Sequence, residues 1–209
     1  MNRCKADNTF QLSTLLNSTS DAYSDLNGRD LVSQKVSELV VMGGKYPSGR
    51  SWNFWGSNPS LTAHVINTWE GRVTFLGGDV GKYVLTGRPL MVEGPKRDPV
   101  RTAYIYYSYY ESRPSWDPLT ILYAIHGLGD TFKIGNAYGY NHIHPDGTNE
   151  WVWTKQARKQ HFLRLKADNQ TVAAEVDGLF LQGALMAEAG HVGTPDWGSL
   201  CGLGYHEEL

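Results

Sequence analysis

Leu39-Val40-Val41-Met42-Gly43-Gly44 and Arg72-Val73-Thr74-Phe75-Leu76-Gly77-Gly78, with Asn58-Pro59 between them, decide the architecture of this 209-residue chain. Each apolar run is short and rich in β-branched residues, as a strand buried on both faces requires, and each is closed by a glycine pair where the chain leaves the sheet. Pro59 suits a first helical turn, where its missing N–H is not needed, and Leu61, Val65 and Ile66 follow at helical spacing. Strand, helix and strand in that order join as a right-handed crossover between parallel neighbours. The pattern predicts an α/β fold: a partial doubly wound, Rossmann-like, mostly parallel sheet flanked by helices, with a C-terminal β meander.

Working outward, Leu12 to Leu16 reads as a short helical turn and Asp30 to Ser37 as a helix. Asp98-Pro99 opens a helix carrying Tyr104, Tyr106, Tyr107, Tyr109 and Tyr110, with Ala103, Tyr107 and Tyr110 on one stripe as candidate core. Asp117-Pro118 opens another through Leu119, Leu122 and Ile125. The glycine- and aromatic-rich stretch from Phe132 to Trp153 turns at Asp146-Gly147, and His161 to Lys166 alternates as a strand; these segments make up the predicted meander. From Asn169 a last helix carries Val172, Val176, Leu179 and Phe180, with Gly190 and Pro195 marking its end. No linker composition interrupts residues 1–209, which read as one domain.

Lys plus Arg number 19 against 21 Asp plus Glu, a formal charge of −2. No basic field exists for a polyphosphate backbone, so nucleic acid is not an expected partner. Mean hydropathy is −0.40, and no run approaches the roughly 18 apolar residues of a membrane span. Met1 to Thr9 is polar, so nothing in it directs the chain to the secretory route; the default expectation is cytoplasmic, with a secretory route open if a segment precedes. His206-Glu207-Glu208-Leu209 resembles an ER-retention tetrapeptide, and Asn17-Ser18-Thr19 and Asn169-Gln170-Thr171 are sequons, all short enough to arise by chance. Cys4 and Cys201 can form one bridge or stay thiols.

Three constellations carry chemical possibilities. The first is Gly43 to Gly56, a glycine- and aromatic-rich loop at a strand's carboxyl end, where Asn53 offers donor and acceptor to a sugar hydroxyl; the plain alternative is a packed structural loop. The second is Asp117, a carboxylate beside a helix-opening proline, which serves equally as a helix cap. The third is His142 and His144, which alternate on one strand face but lack the further ligands of a zinc centre and read equally as part of a hairpin turn. No GxSxG, phosphate loop or paired cysteine motif is present.

Glu38-Leu-Val-Val-Met-Gly-Gly44, then Trp52-Asn-Phe-Trp-Gly56, then Arg113-Pro-Ser-Trp-Asp-Pro-Leu119 resemble, in order and spacing, the inosine-uridine preferring nucleoside hydrolase family, in its fungal-type branch. The resemblance runs from about Gln11 to the last long helix. It implies hydrolysis of the N-glycosidic bond of a ribonucleoside to ribose and free base, with calcium holding the attacking water and the sugar hydroxyls. It makes Asn53 a ribose-binding residue, Met42 a residue beside the sugar pocket and Asp117 a calcium ligand, all converging on one crevice.

The departures from the family pattern define the rest of the expectation. The strand ending in a DxDxxDD cluster, which supplies the family's calcium ligands and base, has no match, so the chain reads as N-terminally truncated relative to the family. Ser51 stands where the family has a ribose-binding glutamate, Trp116 where many members have a proton-donating histidine, and Lys45 where a second asparagine contacts ribose. Thr9-Phe10-Gln11-Leu12 stands where a threonine gives calcium its carbonyl. The expectation is a nucleoside hydrolase homologue, inactive as this chain, that binds calcium weakly and has a nucleoside or ribose as its small-molecule partner. The alternative is a non-catalytic ligand-binding or protein-interaction module, able to oligomerise through a sheet edge left unpaired by the missing strands.

Overall fold

The computed structural model describes residues 3–6 and 9–190. Cys201, Pro195 and the His206–Leu209 tetrapeptide lie outside them. In chain order the elements are β1 (Arg3–Ala6), α1 (Thr9–Leu16), α2 (Gly28–Lys35), β2 (Glu38–Met42), β3 (Ser48–Arg50), α3 (Trp52–Trp55), α4 (Pro59–Asn67), β4 (Arg72–Leu76), α5 (Gly78–Gly81) and β5 (Leu85–Thr86). There follow α6 (Arg88–Glu93), α7 (Pro99–Ser108), β6 (Arg113–Pro114), α8 (Trp116–His126), β7 (Phe132–Ile134), β8 (Tyr140–Ile143), β9 (Thr148–Val152), β10 (Gln160–Leu165) and α9 (Asn169–Glu188). They fall into two compact units, one running to Leu85 and resuming over Pro114–Ala173, the other formed by Thr86–Arg113 and the stretch from Ala174.

The first unit is built on a five-stranded sheet of order β1-β2-β4-β10-β7. β1, β2, β4 and β10 are parallel, and β7 runs antiparallel to β10. β2 and β4 pair from Glu38 opposite Arg72 to Met42 opposite Leu76, joined through α4 as the strand, helix, strand pattern predicts. Asn58 caps α4, its Oδ1 accepting from Leu61 N at 3.0 Å. Because both faces are covered, all five β2 residues are buried, which is why Leu39–Met42 is continuously apolar rather than alternating. Leu39, Val41, Val73 and Phe75 pack with Val65, Ile66 and Phe162 on one side. On the other side α8 lies against β2 and β4 and contributes buried Leu119, Leu122 and Tyr123. There the buried Glu38 carboxylate accepts from Thr74 Oγ1 at 2.6 Å and Tyr123 Oη at 3.0 Å.

Two local expectations change, the meander and the tyrosine stripe. The strands read as one meander divide between two sheets: β7 and β10 join the parallel sheet, whereas β8 and β9 form a hairpin that takes β3 as its third antiparallel strand. The Asn67 side chain ties that small sheet to α4, donating to Ile143 O at 2.8 Å and accepting from Ile143 N at 3.0 Å. β1 pairs in parallel with β2, from Arg3 opposite Glu38 to Ala6 opposite Val41, and is the outer strand on that side of the sheet. Thr9–Leu12 is the opening of helix α1.

The second unit contains α6, α7 and most of α9. The stripe read as core faces solvent instead: Tyr107 is 71% and Tyr110 49% exposed, Ala103 is exposed with them, and the neighbouring Tyr106 and Tyr109 are exposed as well. Tyr104 alone turns inward, its ring 5.8 Å from that of Phe180. Gly87 caps α6 at φ 102°, and a Cβ there would meet the Tyr104 ring at 2.3 Å. Its N–H donates to Asp177 at 2.6 Å. Among the described residues no helix is long and apolar enough to cross a membrane.

Candidate functional site

The parallel pair β2 and β4 ends level, and the chain leaves both strands through glycines. Gly43 N donates to Leu76 O at 3.0 Å and Gly78 N to Gly44 O at 2.9 Å, so the two exits are stitched together. Trp116, at the start of α8, adds a third wall: its Nε1 donates to Gly78 O at 2.7 Å. Ser115 N donates to Gly81 O at 3.1 Å, and a Cβ on Gly81 would lie 2.8 Å from the Trp116 backbone, so only glycine permits this approach. Ligands of open α/β sheets gather at such carboxyl-end crevices. A cavity of about 570 Å³ opens here, lined in part by Met42, Asn53, Trp116 and Asp117, within the size range of small-molecule sites.

Asn53 sits on the one-turn helix α3, not in an open loop. Its Nδ2 donates to Met42 O at 3.0 Å and lies 2.9 Å from Met42 Sδ. With the nitrogen committed to the strand end, Oδ1 is the polar atom left to accept a bond from a ligand. Asp117 is exposed in the first turn of α8, and the cap position belongs to Ser115, so the cap role read for Asp117 does not hold.

The substituted positions have structural duties. Ser51 Oγ accepts from Gly44 N at 2.7 Å, which fixes the loop after β2. The Trp116 indole N–H is engaged by Gly78. Lys45 is held through its backbone, its N donating to Asn149 Oδ1 at 2.9 Å and its O accepting from Asn149 Nδ2 at 3.0 Å, and it lines the cavity.

Sequence reasoning passed over Lys82 and Tyr83, and gave no separate role to Arg50 and Trp52 within the Gly43–Gly56 loop; these residues and Asp79 also line the cavity. Asp79 follows Gly77-Gly78 as Lys45 follows Gly43-Gly44, and that strand-end parallel is the signal that points to it. Its carboxylate pairs with Arg164 of β10, whose second nitrogen donates to Tyr46 O at 2.6 Å. Tyr46 is buried, its ring stacked 5.0 Å from Phe162. Burial, reinforced by the nearby Asp79, pushes its phenol well above the ordinary tyrosine range.

His142 and His144 do come together, ring centroids 4.8 Å apart, with His144 Nε2 3.4 Å from Glu150 Oε1. They lie on the β8–β9 hairpin and do not line the cavity. Among the described residues no three His, Cys, Asp or Glu side chains group to hold a metal ion.

No protein-family model matches the chain, and no curated protein does. Solved structures do match. A plant nucleoside hydrolase superposes with a TM-score of 0.53 at 17% identity, covering 73% of this chain and 56% of its own. The inosine-uridine preferring nucleoside hydrolase of Bacillus anthracis superposes with a TM-score of 0.52 at 19% identity, covering 84% of this chain and 65% of its own. The chain thus spans less than two thirds of either structure, and at these identities the likeness is one of fold: over the matched residues the chain has the fold of the nucleoside hydrolases.

Proposed function

We propose that this chain is a homologue of the nucleoside hydrolases, of the fungal type, that binds a ribonucleoside in the cavity at the carboxyl ends of β2 and β4 without hydrolysing it. The observation that carries the reading is that Met42, Asn53 and Asp117, separated by up to 75 positions in the sequence, line one cavity. In this reading Asn53 Oδ1 accepts a sugar hydroxyl, Met42 packs beside the sugar, and the half-exposed aromatic rim takes the base.

Cleaving an N-glycosidic bond needs a base to activate water, stabilisation of an oxocarbenium-like sugar and a proton for the leaving group. Trp116 has no acidic proton to give and its N–H is engaged; Ser51, whose Oγ accepts from the Gly44 amide, brings a hydroxyl and not a carboxylate base. Calcium, which the resemblance implies, takes 6 to 8 oxygen ligands. The described cavity wall offers the carboxylates of Asp79 and Asp117, one of them tied to Arg164, among the cations Lys45, Arg50 and Lys82. That donor set does not suit a divalent cation.

Titration with inosine, followed by tryptophan fluorescence, and a ribose-release assay with inosine and uridine test the reading together. Expected are saturable binding lost in Asn53→Ala and no ribose above a heat-denatured control. Ribose release abolished by Asn53→Ala makes the chain an active hydrolase; absence of saturable binding removes the nucleoside reading. The alternative, a protein-interaction module, draws support from the exposed tyrosines of α7. It predicts self-association in sedimentation that Tyr106→Ser with Tyr107→Ser weakens.

A further inference from the structure

Resting on the nucleoside reading of the same cavity, we propose that its ligand carries a phosphomonoester: the site prefers a nucleoside monophosphate to the unphosphorylated nucleoside. Three cationic residues from separate segments line the cavity, Lys45 after β2, Arg50 at the end of β3 and Lys82 after α5. None of them forms an ion pair among the described residues, where the pairs are His144–Glu150, Arg164–Asp79 and Lys166–Asp130. Arg50 stacks on the Trp55 ring at 4.4 Å and feels Asp146 only through the field that helps lower that carboxylate's pKa. Lys82 Nζ stands 5.2 Å from the centroid of the Tyr83 ring.

The opposing negative charge is smaller. Asp79 is paired with Arg164, and the lining sets three cations against two carboxylates, Asp79 and Asp117. The N-terminus of α8 opens onto the same wall through Trp116 and Asp117 and adds the partial positive charge of its amides. A neutral nucleoside leaves this surplus unanswered, whereas a phosphate dianion meets it with charge-assisted hydrogen bonds. The other half of the ligand is matched by aromatic planes: Trp52 and Tyr83 line the cavity and are each 65% exposed, available to stack on a base. Cationic groups and exposed aromatic rings around one cavity, with an amide oxygen for a sugar hydroxyl, correspond to the phosphate, base and ribose of a nucleotide.

Calorimetry on the full chain at low ionic strength tests this with inosine 5′-monophosphate, inosine, ribose 5-phosphate and inorganic phosphate as separate titrants. Inosine 5′-monophosphate should bind about tenfold or more tightly than inosine. The ratio should shrink as sodium chloride rises and fall toward one in a Lys45→Gln, Lys82→Gln variant, whose substitutions lie at exposed positions that leave the core untouched. If the two bind equally, the phosphate preference is overturned while the nucleoside reading stands. If neither binds, both fall. If ribose 5-phosphate or inorganic phosphate binds as tightly as inosine 5′-monophosphate, the cavity is an anion site without base recognition, and the nucleotide assignment is overturned.

Discussion

Asn53 Nδ2 donates to the carbonyl oxygen of Met42 at 3.0 Å, which locks a side chain from α3 onto the last residue of β2. The bond sets the direction of the carboxamide, since a donor is required toward the strand and the acceptor is left toward the cavity. Asn53→Asp replaces that donor with an oxygen facing a carbonyl. It should lower stability by about 1–3 kcal/mol, read from urea unfolding, and weaken inosine binding at least as much as Asn53→Ala does. Unchanged stability would mean the contact does not hold the side chain.

Calcium titration of the isolated chain should show no site tighter than about millimolar, the weak end of the range for flexible oxygen sites. A stoichiometric micromolar site abolished by Asp117→Ala would show that further oxygen ligands complete a cage, and the hydrolase activity would then be expected to follow.

His161 supplies a pH prediction. Burial first, then the positive charge of Arg72, lower its pKa below the ordinary value, with Glu38 opposing. The unfolded chain therefore takes up the proton more readily than the folded one. The contribution of His161 is fully present above its unfolded pKa, near 6.5, and is lost as pH falls through the window down to the depressed folded value. Urea midpoints of the wild type should drop across that window more steeply than those of His161→Gln; parallel curves would contradict the assignment.

Two buried tyrosines should respond oppositely to losing a hydroxyl. Tyr123 donates to the buried Glu38 carboxylate at 3.0 Å, so Tyr123→Phe should cost about 1–3 kcal/mol. Tyr46 Oη is buried without a hydrogen-bond partner among the described residues, so Tyr46→Phe should be neutral or stabilising, because it removes an uncompensated polar atom while keeping the ring stacked on Phe162. Equal losses in the two variants would show that Tyr46 has a partner.

The parallel pair at the heart of the sheet was legible because β2 and β4 are buried on both faces, and burial on both faces leaves a continuous apolar signature that glycines then punctuate. Asn58-Pro59 and Asp98-Pro99 were legible as helix openings for a similarly local reason, the proline of a first turn, and in the structure Asn58 and Asp98 each accept a backbone N–H there. β1 was not legible, since Arg3–Ala6 is only four residues with two charges and no apolar run, and it pairs with Glu38–Val41. The tyrosines of α7 misled because helical spacing defines a stripe without saying what, if anything, covers it. At the cavity, Asn53 and Asp117 were reached through motif resemblance. Lys82, Tyr83 and Arg164 were not, because their roles depend on long-range placement: Arg164 meets Asp79 from 85 residues away. Trp116 was legible as an incapable proton donor, but its use as a strut to Gly78 exists only in three dimensions.

The measurement closest to the central claim is where a nucleoside lands. Amide and indole chemical-shift mapping with inosine should show the largest perturbations at Met42, Asn53 and the Trp116 indole N–H, with none at the separate cavity of about 480 Å³ lined by Arg29 and Trp69. Perturbations confined to that second cavity, or absent from Met42, Asn53 and Trp116 at saturating inosine, would contradict the account.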